Sequence, residues 1–149
     1  MPPFFIFALY MGRILALDYG QKRTGIAVTD NEQIIATGLT TVPSNTLLKF
    51  IGQYIKDEEV ECIVIGEPRD MMNRPSDSTK YIEPFIGALR KKFPQLIIKR
   101  YDERFTSNIA FQAMIDGGLS KSKRRNKDMV DKISATLILQ SYLQSLEKK

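Results

Sequence analysis

The sequence predicts an α/β fold with a mixed sheet of five strands, three antiparallel and two added in parallel, flanked by helices. Three extended runs separated by turns come first, which is typical of an antiparallel meander. Two apolar runs then alternate with helical patterns, and such crossovers add strands in parallel. A length of 149 residues, of which 43% are apolar and 26% charged, suits one globular domain.

The meander is predicted over residues 13–42. An apolar run at residues 13–17 ends at Asp18, a polar turn follows, and residues 25–29 (GIAVT) resume the extended pattern. A third β-rich run, at residues 33–42, stops before Pro43. The first two runs form a hairpin, and the third closes the meander.

Helices and parallel strands alternate through the next part of the chain. Ser44 is the expected N-cap of the first helix, whose apolar residues recur with the helical period. Residues 62–65 are a continuous apolar run and predict a central parallel strand that is buried on both faces. A second helix ends at Pro94, and residues 96–101 form the fifth strand.

Two more helices are predicted after the fifth strand. Thr106 or Ser107 can cap a helix that ends at Gly117 and Gly118. The last helix covers about residues 128–146, with Asp128 as the N-cap candidate. Its expected apolar stripe consists of Val130, Ile133, Leu137 and Tyr142.

The first residues form an apolar segment, PPFFIFALY at residues 2–10. The segment lacks a positively charged start and has about half the length that a membrane span needs, which argues against membrane targeting. We expect residues 1–10 to be an extension in front of a single domain over residues 11–149. Packing of this segment on the domain or on a partner is the alternative.

Two absences in the composition limit the chemistry. The chain has no histidine, which excludes an imidazole as catalytic base, acid or metal ligand. Its single cysteine, Cys62, excludes an intrachain disulfide and a thiolate zinc site, and it suits a cytoplasmic location. Catalysis is left to carboxylates, lysines, hydroxyls, backbone amides and a hard metal ion bound through oxygen.

Carboxylates gather at one edge of the predicted sheet. Asp18 ends the first strand, Glu67 follows the fourth, Asp102 and Glu103 follow the fifth, and Asp131 lies near the start of the last helix. Strands of the same sense end along one edge, which is where open α/β sheets place their sites. We therefore expect several of these carboxylates to lie close together.

Asp131 shares one side of the last helix with Ala135 and Ile138, and this side should face the protein. A buried carboxylate needs a cation, a hydrogen-bond network or access through a cleft. We expect three or four of the carboxylates to converge on Mg²⁺ or Mn²⁺, which take oxygen ligands and bridge to substrate phosphate. Each acid also has a structural interpretation, as a turn, cap or ion-pair residue, so one acid alone is weak evidence.

Four motifs of the chain resemble those of the YqgF (RuvX) family: ALDYGQKRTGIAVTD at residues 16–30, IVIGEPRDM at 63–71, DERFTS at 102–107 and KDMVDKISATLILQSYL at 127–143. They occur in the order of the family and cover nearly the whole chain from Met11. The resemblance implies an RNase H-like fold, a metal-dependent nuclease site and a role in maturing the 5′ end of pre-16S ribosomal RNA. The family is also described as Holliday junction resolvases. Carried over by motif, the catalytic and metal-binding set is Asp18, Glu103 and Asp131.

Glu67 departs from the family pattern, because many members carry an apolar residue between Gly66 and Pro68. In related resolvases an acid near that strand belongs to the catalytic set, so Glu67 is a fourth catalytic candidate. The fifth strand should lie two strand spacings from the first, about 9 to 10 Å, which favours Glu67 as the third metal ligand. Family precedent favours Glu103, and we place Glu103 first.

A basic segment precedes the helix that carries Asp131. Residues 120–127 (SKSKRRNK) contain enough cations to steer a polyanion, although such a run is also typical of a solvated loop. Basic residues of the first hairpin, with Arg69 and Arg74, extend this surface. The predicted nucleic-acid-binding residues are Lys22, Arg23, Arg104, Lys121, Lys123, Arg124, Arg125 and Lys127.

Together these features predict a Mg²⁺- or Mn²⁺-dependent endonuclease that acts on structured nucleic acid. Pre-rRNA is favoured over branched DNA, and ribosome-assembly particles are a further expected partner. The alternatives are a catalytically silent RNA-binding assembly factor and a nucleotide-binding fold, because DYGQKRTG also resembles the phosphate loop of actin-like and sugar-kinase ATPases. A junction resolvase needs two active sites in a two-fold dimer. Since no large dimerisation helix is indicated, we expect a monomer, with a dimer as the alternative.

Overall fold

The computed structural model describes residues 12–67, 79–102 and 126–147. Its strands are β1 (Arg13–Tyr19), β2 (Arg23–Thr29), β3 (Ala36–Pro43), β4 (Val60–Glu67) and β5 (Ile97–Asp102). Its helices are α1 (Leu47–Asp57), which follows a 3₁₀ turn at Ser44–Thr46, α2 (Thr79–Lys92) and α3 (Lys127–Glu147). The predicted helix at residues 106–118 lies outside the described residues.

The five strands form one sheet in the order β3-β2-β1-β4-β5. The central strand β1 pairs antiparallel with β2 and parallel with β4. The outer strands continue these directions, since β3 is antiparallel to β2 and β5 is parallel to β4. This arrangement confirms the predicted mixed sheet of three antiparallel strands and two strands added in parallel.

The two faces of the sheet bury different residues because side chains alternate along each strand. Leu15 and Leu17 of β1 belong to the core that α1 and α2 cover, together with Ile63 and Ile65 of β4. The intervening residues face α3 in a second, smaller core, which contains Ile14, Ala16, Ala27, Cys62, Val64, Ala135, Ile138 and Leu139. The parity of a strand residue therefore tells which helix layer its side chain meets.

Helix α3 contacts β1, β2 and β3. Its buried residues are Ala135, Ile138 and Leu139, which confirms that the side shared with Asp131 faces the protein. The predicted stripe is wrong for Val130, Ile133 and Leu137, which are not among the buried residues of the helix, whereas its fourth member, Tyr142, does pack against this core. Helix α3 has apolar residues on more than one side, so periodicity alone did not select the side that meets the sheet.

The first turn of α3 is capped one residue before the helix begins. Asn126 Oδ1 accepts a hydrogen bond from the backbone N–H of Met129 at 3.2 Å. The expectation that Asp128 is the N-cap is wrong, because Asp128 lies within the first turn. The carboxylate of Asp128 remains near the positive end of the helix, where a negative charge is favourable.

Ser44 does not cap a helix, which corrects a second expectation. Its Oγ donates a hydrogen bond to the carbonyl oxygen of Gly20 at 2.5 Å and lies 2.9 Å from Thr24 Oγ1. Its backbone N–H donates to the carbonyl oxygen of Lys22 at 2.9 Å. Ser44 therefore holds the β1–β2 turn against the end of β3.

Strand β3 begins at Ala36, later than the predicted start at residue 33. Asp30 Oδ1 accepts hydrogen bonds from the backbone N–H groups of Ile34 and Ile35, both at 2.8 Å, so these groups do not join the sheet. Gln33 has a φ of 59°, which is a turn conformation rather than an extended one. Within the described residues, no helix is both long and apolar enough to cross a membrane.

Candidate functional site

Asp18 lies one residue before the end of β1 and faces the α3 layer. Asp18 lies an even number of residues from Ile14 and Ala16, so its side chain points to the same face of the sheet, where these two residues belong to the core under α3. Its partner in register on β2 is Gly25. Because paired residues of antiparallel strands point to the same face, Asp18 points to the side of the sheet on which α3 approaches Gly25.

Gly25 allows the backbone of α3 to touch the sheet beside Asp18. A Cβ atom built at Gly25 would lie 1.9 Å from the carbonyl oxygen of Asp131 and 2.9 Å from the backbone nitrogen of Lys132. Any side chain at this position would overlap the helix backbone. The absence of a side chain at Gly25 therefore brings Asp131 to the end of β1 where Asp18 stands.

The pKa of Asp18 is raised by burial and, in part, because the carboxyl group of Asp131 lies nearby. Burial raises this pKa, and the negative charge of Asp131 raises it further, to about 7. Burial also raises the pKa of Asp131, against the opposing effect of Arg23. Two carboxyl groups are thus held together in a place where neither can ionise as easily as in water.

Arg23, the first residue of β2, forms an ion pair with Asp131. Its Nε donates a hydrogen bond to Asp131 Oδ2 at 2.8 Å, and the two side chains are 32% and 23% exposed. Asp128 Oδ1 lies farther from the same nitrogen, at 3.9 Å, and its side chain is 72% exposed. The stronger partner of Arg23 is therefore the site carboxylate.

Glu67 lies at the end of β4 but on the opposite face of the sheet from Asp18. It has the parity of Ile63 and Ile65, which belong to the core under α1 and α2. Its carboxylate accepts a hydrogen bond from Arg100 Nη2, and the same nitrogen donates a hydrogen bond to the carboxylate of Glu83 in α2. The structure does not bring Glu67 together with Asp18 and Asp131.

The two described lysine candidates lie at the ends of the elements that supply the site residues. Lys22 lies in the β1–β2 turn and Lys127 is the first residue of α3, and both are exposed. Among the predicted site residues, Asp18, Asp131 and Arg23 are brought together. The remaining predicted site residues lie outside the described residues; they are Glu103, Arg104, Lys121, Lys123, Arg124 and Arg125.

The donor set of the site suits a hard divalent cation. Asp18 and Asp131 offer carboxylate oxygens, which Mg²⁺ and Mn²⁺ prefer, and a bound cation would relieve the repulsion between the two acids. The described residues contain no group of three or more metal-ligating side chains. A complete site therefore needs a third carboxylate or solvent ligands in addition to this pair.

Sequence reasoning missed the part played by Gly25 and the partner of Arg23. Gly25 is predicted as the first residue of the second strand, with no part in the site, but within a strand a glycine often marks the close approach of another backbone. Arg23 was assigned to nucleic-acid binding because its neighbours are basic. Nothing in the local sequence indicated that Asp131, 108 residues later, would be its partner.

Comparisons with known proteins identify the family of the chain. The RuvX family, described as "Holliday junction resolvase", matches residues 12–145. A protein of Phocaeicola vulgatus named "Putative pre-16S rRNA nuclease" is 58% identical over 135 residues, which cover 91% of this chain and 97% of the relative. A protein of the same name from Bacteroides thetaiotaomicron is 56% identical over 135 residues, with coverages of 91% and 98%.

A solved structure is similar in fold. RuvC of T. thermophilus, determined in complex with a Holliday junction substrate, matches with a TM-score of 0.55 at 14% identity. The match covers 90% of this chain and 96% of that chain. It confirms the RNase H-like fold that the motifs implied.

Proposed function

Because the chain belongs to the RuvX family, we propose that it is a metal-dependent endonuclease that hydrolyses phosphodiester bonds in structured nucleic acid. Its proposed substrate is pre-16S rRNA, which the names of its relatives contain, and its proposed cleavage site is the 5′ end, which the family resemblance implies. The observation that carries the proposal is the pair of Asp18 and Asp131, which Gly25 allows to meet at the end of the central strand. The coupling of these two acids has no evident use in stabilising the fold, because repulsion between them opposes it.

Asp18 and Asp131 are the residues that would hold Mg²⁺ or Mn²⁺. When bound, such an ion supplies a polarised water and stabilises the leaving oxygen of phosphodiester hydrolysis. Asp18 reaches the site from a rigid strand and Asp131 from a helix packed on that strand. Their positions are therefore set by the core rather than by a loop, which suits a site that must hold its ligands in fixed geometry.

Glu103 is the proposed third carboxylate. It follows β5 directly and has the sequence parity of Tyr101, which belongs to the core under α3. The hydroxyl of Tyr101 lies 2.6 Å from Ser141 Oγ, and its ring meets that of Tyr142 edge-on at 5.9 Å. The end of β5 is thus held to the same helix that carries Asp131, whereas Glu67 is engaged on the other face by Arg100.

The exposed cations near the site are proposed to bind the phosphate backbone. Lys22 and Lys127 lie beside the two elements that supply the carboxylates, and Lys127 ends the basic segment at residues 120–127. Such contacts add affinity without reading base sequence, which suits a substrate recognised by its structure. We propose that the protein acts as a monomer in the cytoplasm, on pre-rRNA within assembling ribosomal particles.

Holliday junction resolution is the second candidate function, because the family carries that description. A resolvase makes two symmetric cuts and therefore needs two active sites related by a two-fold axis. Trimming of pre-rRNA needs one cut. Sedimentation at micromolar concentration and the pattern of products on a junction separate the two functions.

The test is cleavage of an end-labelled pre-16S rRNA fragment and of a four-way DNA junction, with Mn²⁺, with Mg²⁺ and with EDTA. Asp18→Asn keeps the shape of the side chain and removes its charge, so cleavage should fall by at least about 100-fold. Asp57→Asn makes the same chemical change at an exposed site on α1, across the sheet, and should cleave like the wild type.

Three results would overturn the proposal in whole or in part. Full activity of a folded Asp18→Asn variant would exclude a metal site at the end of β1. A wild-type protein that binds the RNA and cleaves neither substrate with either metal would be a catalytically silent assembly factor. Paired symmetric nicks in the junction, with no cleavage of pre-rRNA, would favour the resolvase.

A further inference from the structure

We propose that Arg23 is a positioning residue for Asp131 and not a phosphate-binding residue, an inference that rests on the proposed function. Arg23 begins β2, two residues before the glycine that admits α3. Its Nε donates to Asp131 Oδ2 at 2.8 Å. The bond uses Oδ2 of Asp131, so Oδ1 is the oxygen that would be offered to a metal ion.

The surroundings of Arg23 differ from those of a phosphate-binding cation. The Arg23 side chain is 32% exposed, whereas Lys22, the preceding residue, and Lys127, the first residue of α3, are exposed residues. Two carboxylates, Asp131 and Asp128, lie within 4 Å of its Nε and balance its charge. A cation that is neutralised by neighbouring acids attracts phosphate less than an exposed lysine does.

Asp131 also needs an external constraint in order to stay near Asp18. The two carboxyl groups repel each other when ionised, and Asp131 could otherwise turn away from Asp18 toward solvent. A hydrogen bond from Arg23 opposes that rotation. Partners of this kind, which bond to a metal ligand but not to the metal, are typically worth 10 to 100-fold in metal affinity.

The identity of the donor atom allows a sharp test. Because the contact is made by Nε and not by a terminal nitrogen, Nε2 of a glutamine would stand the same number of bonds from the backbone. Arg23→Gln therefore keeps an N–H donor at the required place and removes the charge. Arg23→Met keeps the length of the side chain and removes both. Lys49→Gln, on exposed α1 surface across the sheet, is the matched control for the loss of one charge.

Two measurements are made on each folded variant, with unfolding curves as the check of folding. Titration calorimetry gives the affinity for Mn²⁺, and RNA binding in EDTA at several salt concentrations gives the number of phosphate contacts. We expect Arg23→Met to bind Mn²⁺ about 10 to 100-fold more weakly and Arg23→Gln to recover most of that loss. The salt dependence of RNA binding should match that of Lys49→Gln in both variants.

Three results would overturn the inference. Wild-type or tighter Mn²⁺ binding by Arg23→Met would make Arg23 irrelevant to the site or a competitor of the metal. Equally weakened Mn²⁺ binding in Arg23→Met and Arg23→Gln would show that the positive charge of Arg23 matters and its hydrogen bond does not. If the slope of log RNA affinity against log salt falls by about 0.7 in both variants, Arg23 contacts a phosphate after all. Wild-type protein that binds Mn²⁺ and cleaves nothing would refute the proposed function alone, and the comparison of the Arg23 variants would still stand.

Discussion

Substituting Gly25 by alanine should separate the two carboxylates of the site. The added Cβ would lie 1.9 Å from the carbonyl oxygen of Asp131, whereas ordinary contact begins at 3.4 Å, so strand and helix must move apart by about 1.5 Å. The obstacle is helix backbone, which cannot turn aside as a side chain can. Overpacking of this kind typically costs 1 to 3 kcal/mol, and we expect the upper end, about 3 kcal/mol, which in a domain of this size lowers Tm by roughly 6 to 12 °C.

The displacement should affect activity more than stability. A shift of about 1 Å in a catalytic group can cost 100-fold in rate, so Gly25→Ala should cleave at about one hundredth of the wild-type rate or less. The assay is metal-dependent cleavage of labelled pre-16S rRNA, with thermal unfolding followed by circular dichroism.

Gly87→Ala is the matched control for this substitution. A Cβ at Gly87, on an exposed position of α2, meets no atom within 4 Å, so this variant should keep full activity. It should also gain about 0.5 to 1 kcal/mol, because alanine is the better helix former. A Gly25→Ala variant with wild-type activity and stability would refute the close approach of α3 to β2.

Three further predictions concern the acids and the basic segment. Glu103→Gln should lower metal-dependent cleavage by orders of magnitude. Glu67→Gln should keep cleavage and lose about 1 to 2 kcal/mol of stability, since Glu67 accepts a hydrogen bond from Arg100 on the other face of the sheet. Loss of cleavage in Glu67→Gln alone would reverse this assignment. Folding raises the pKa of Asp18 from 3.8 to about 7, so between pH 3.8 and about 7 the folded protein binds more protons than the unfolded chain. In EDTA, the free energy of unfolding should therefore fall as the pH rises through this range. Asp18→Asn should lack this fall and be the more stable protein above pH of about 7, as thermal unfolding at several pH values would measure; identical pH profiles would contradict the coupling. Replacing the five cations at residues 120–127 by glutamine should flatten the dependence of log affinity for RNA on log salt by up to roughly 3.5 units, and an unchanged slope would make this segment a solvated connector.

The succession and direction of the strands could be predicted because they follow from local patterns, whereas the order of the strands in the sheet was implied by the family resemblance. The apolar run at residues 62–65 indicates burial on both faces wherever the strand lies, and β4 is indeed buried from Cys62 to Glu67. The position of Asp131 on the same helix side as Ala135 could also be predicted, because the helical period is local. The candidate acids Asp18 and Asp131 were found from the ends of elements and from family motifs, and the structure brings these two together.

Element ends and caps were less predictable, because they depend on competing hydrogen bonds. Ser44 has the chemistry of an N-cap, but its hydroxyl is used by the carbonyl oxygen of Gly20 on another part of the chain. The start of β3 is likewise delayed by Asp30, which takes two backbone N–H groups. In both cases the residue type is suited to several partners, and the fold selects one.

The mixed sheet, the ligand chemistry left open by the absence of histidine, and the acids at strand ends all follow from the amino-acid sequence. Which of these acids lie close together depends on how elements that are distant in the chain pack against each other. Glu67 and Asp18 end neighbouring strands, but strand alternation turns them to opposite faces, where Arg100 engages one and α3 approaches the other. The decisive contact, between the Gly25 backbone and α3, depends on a close approach between residues far apart in the chain. The only sign of such a contact in the sequence is a glycine, because the contact depends on the absence of a side chain.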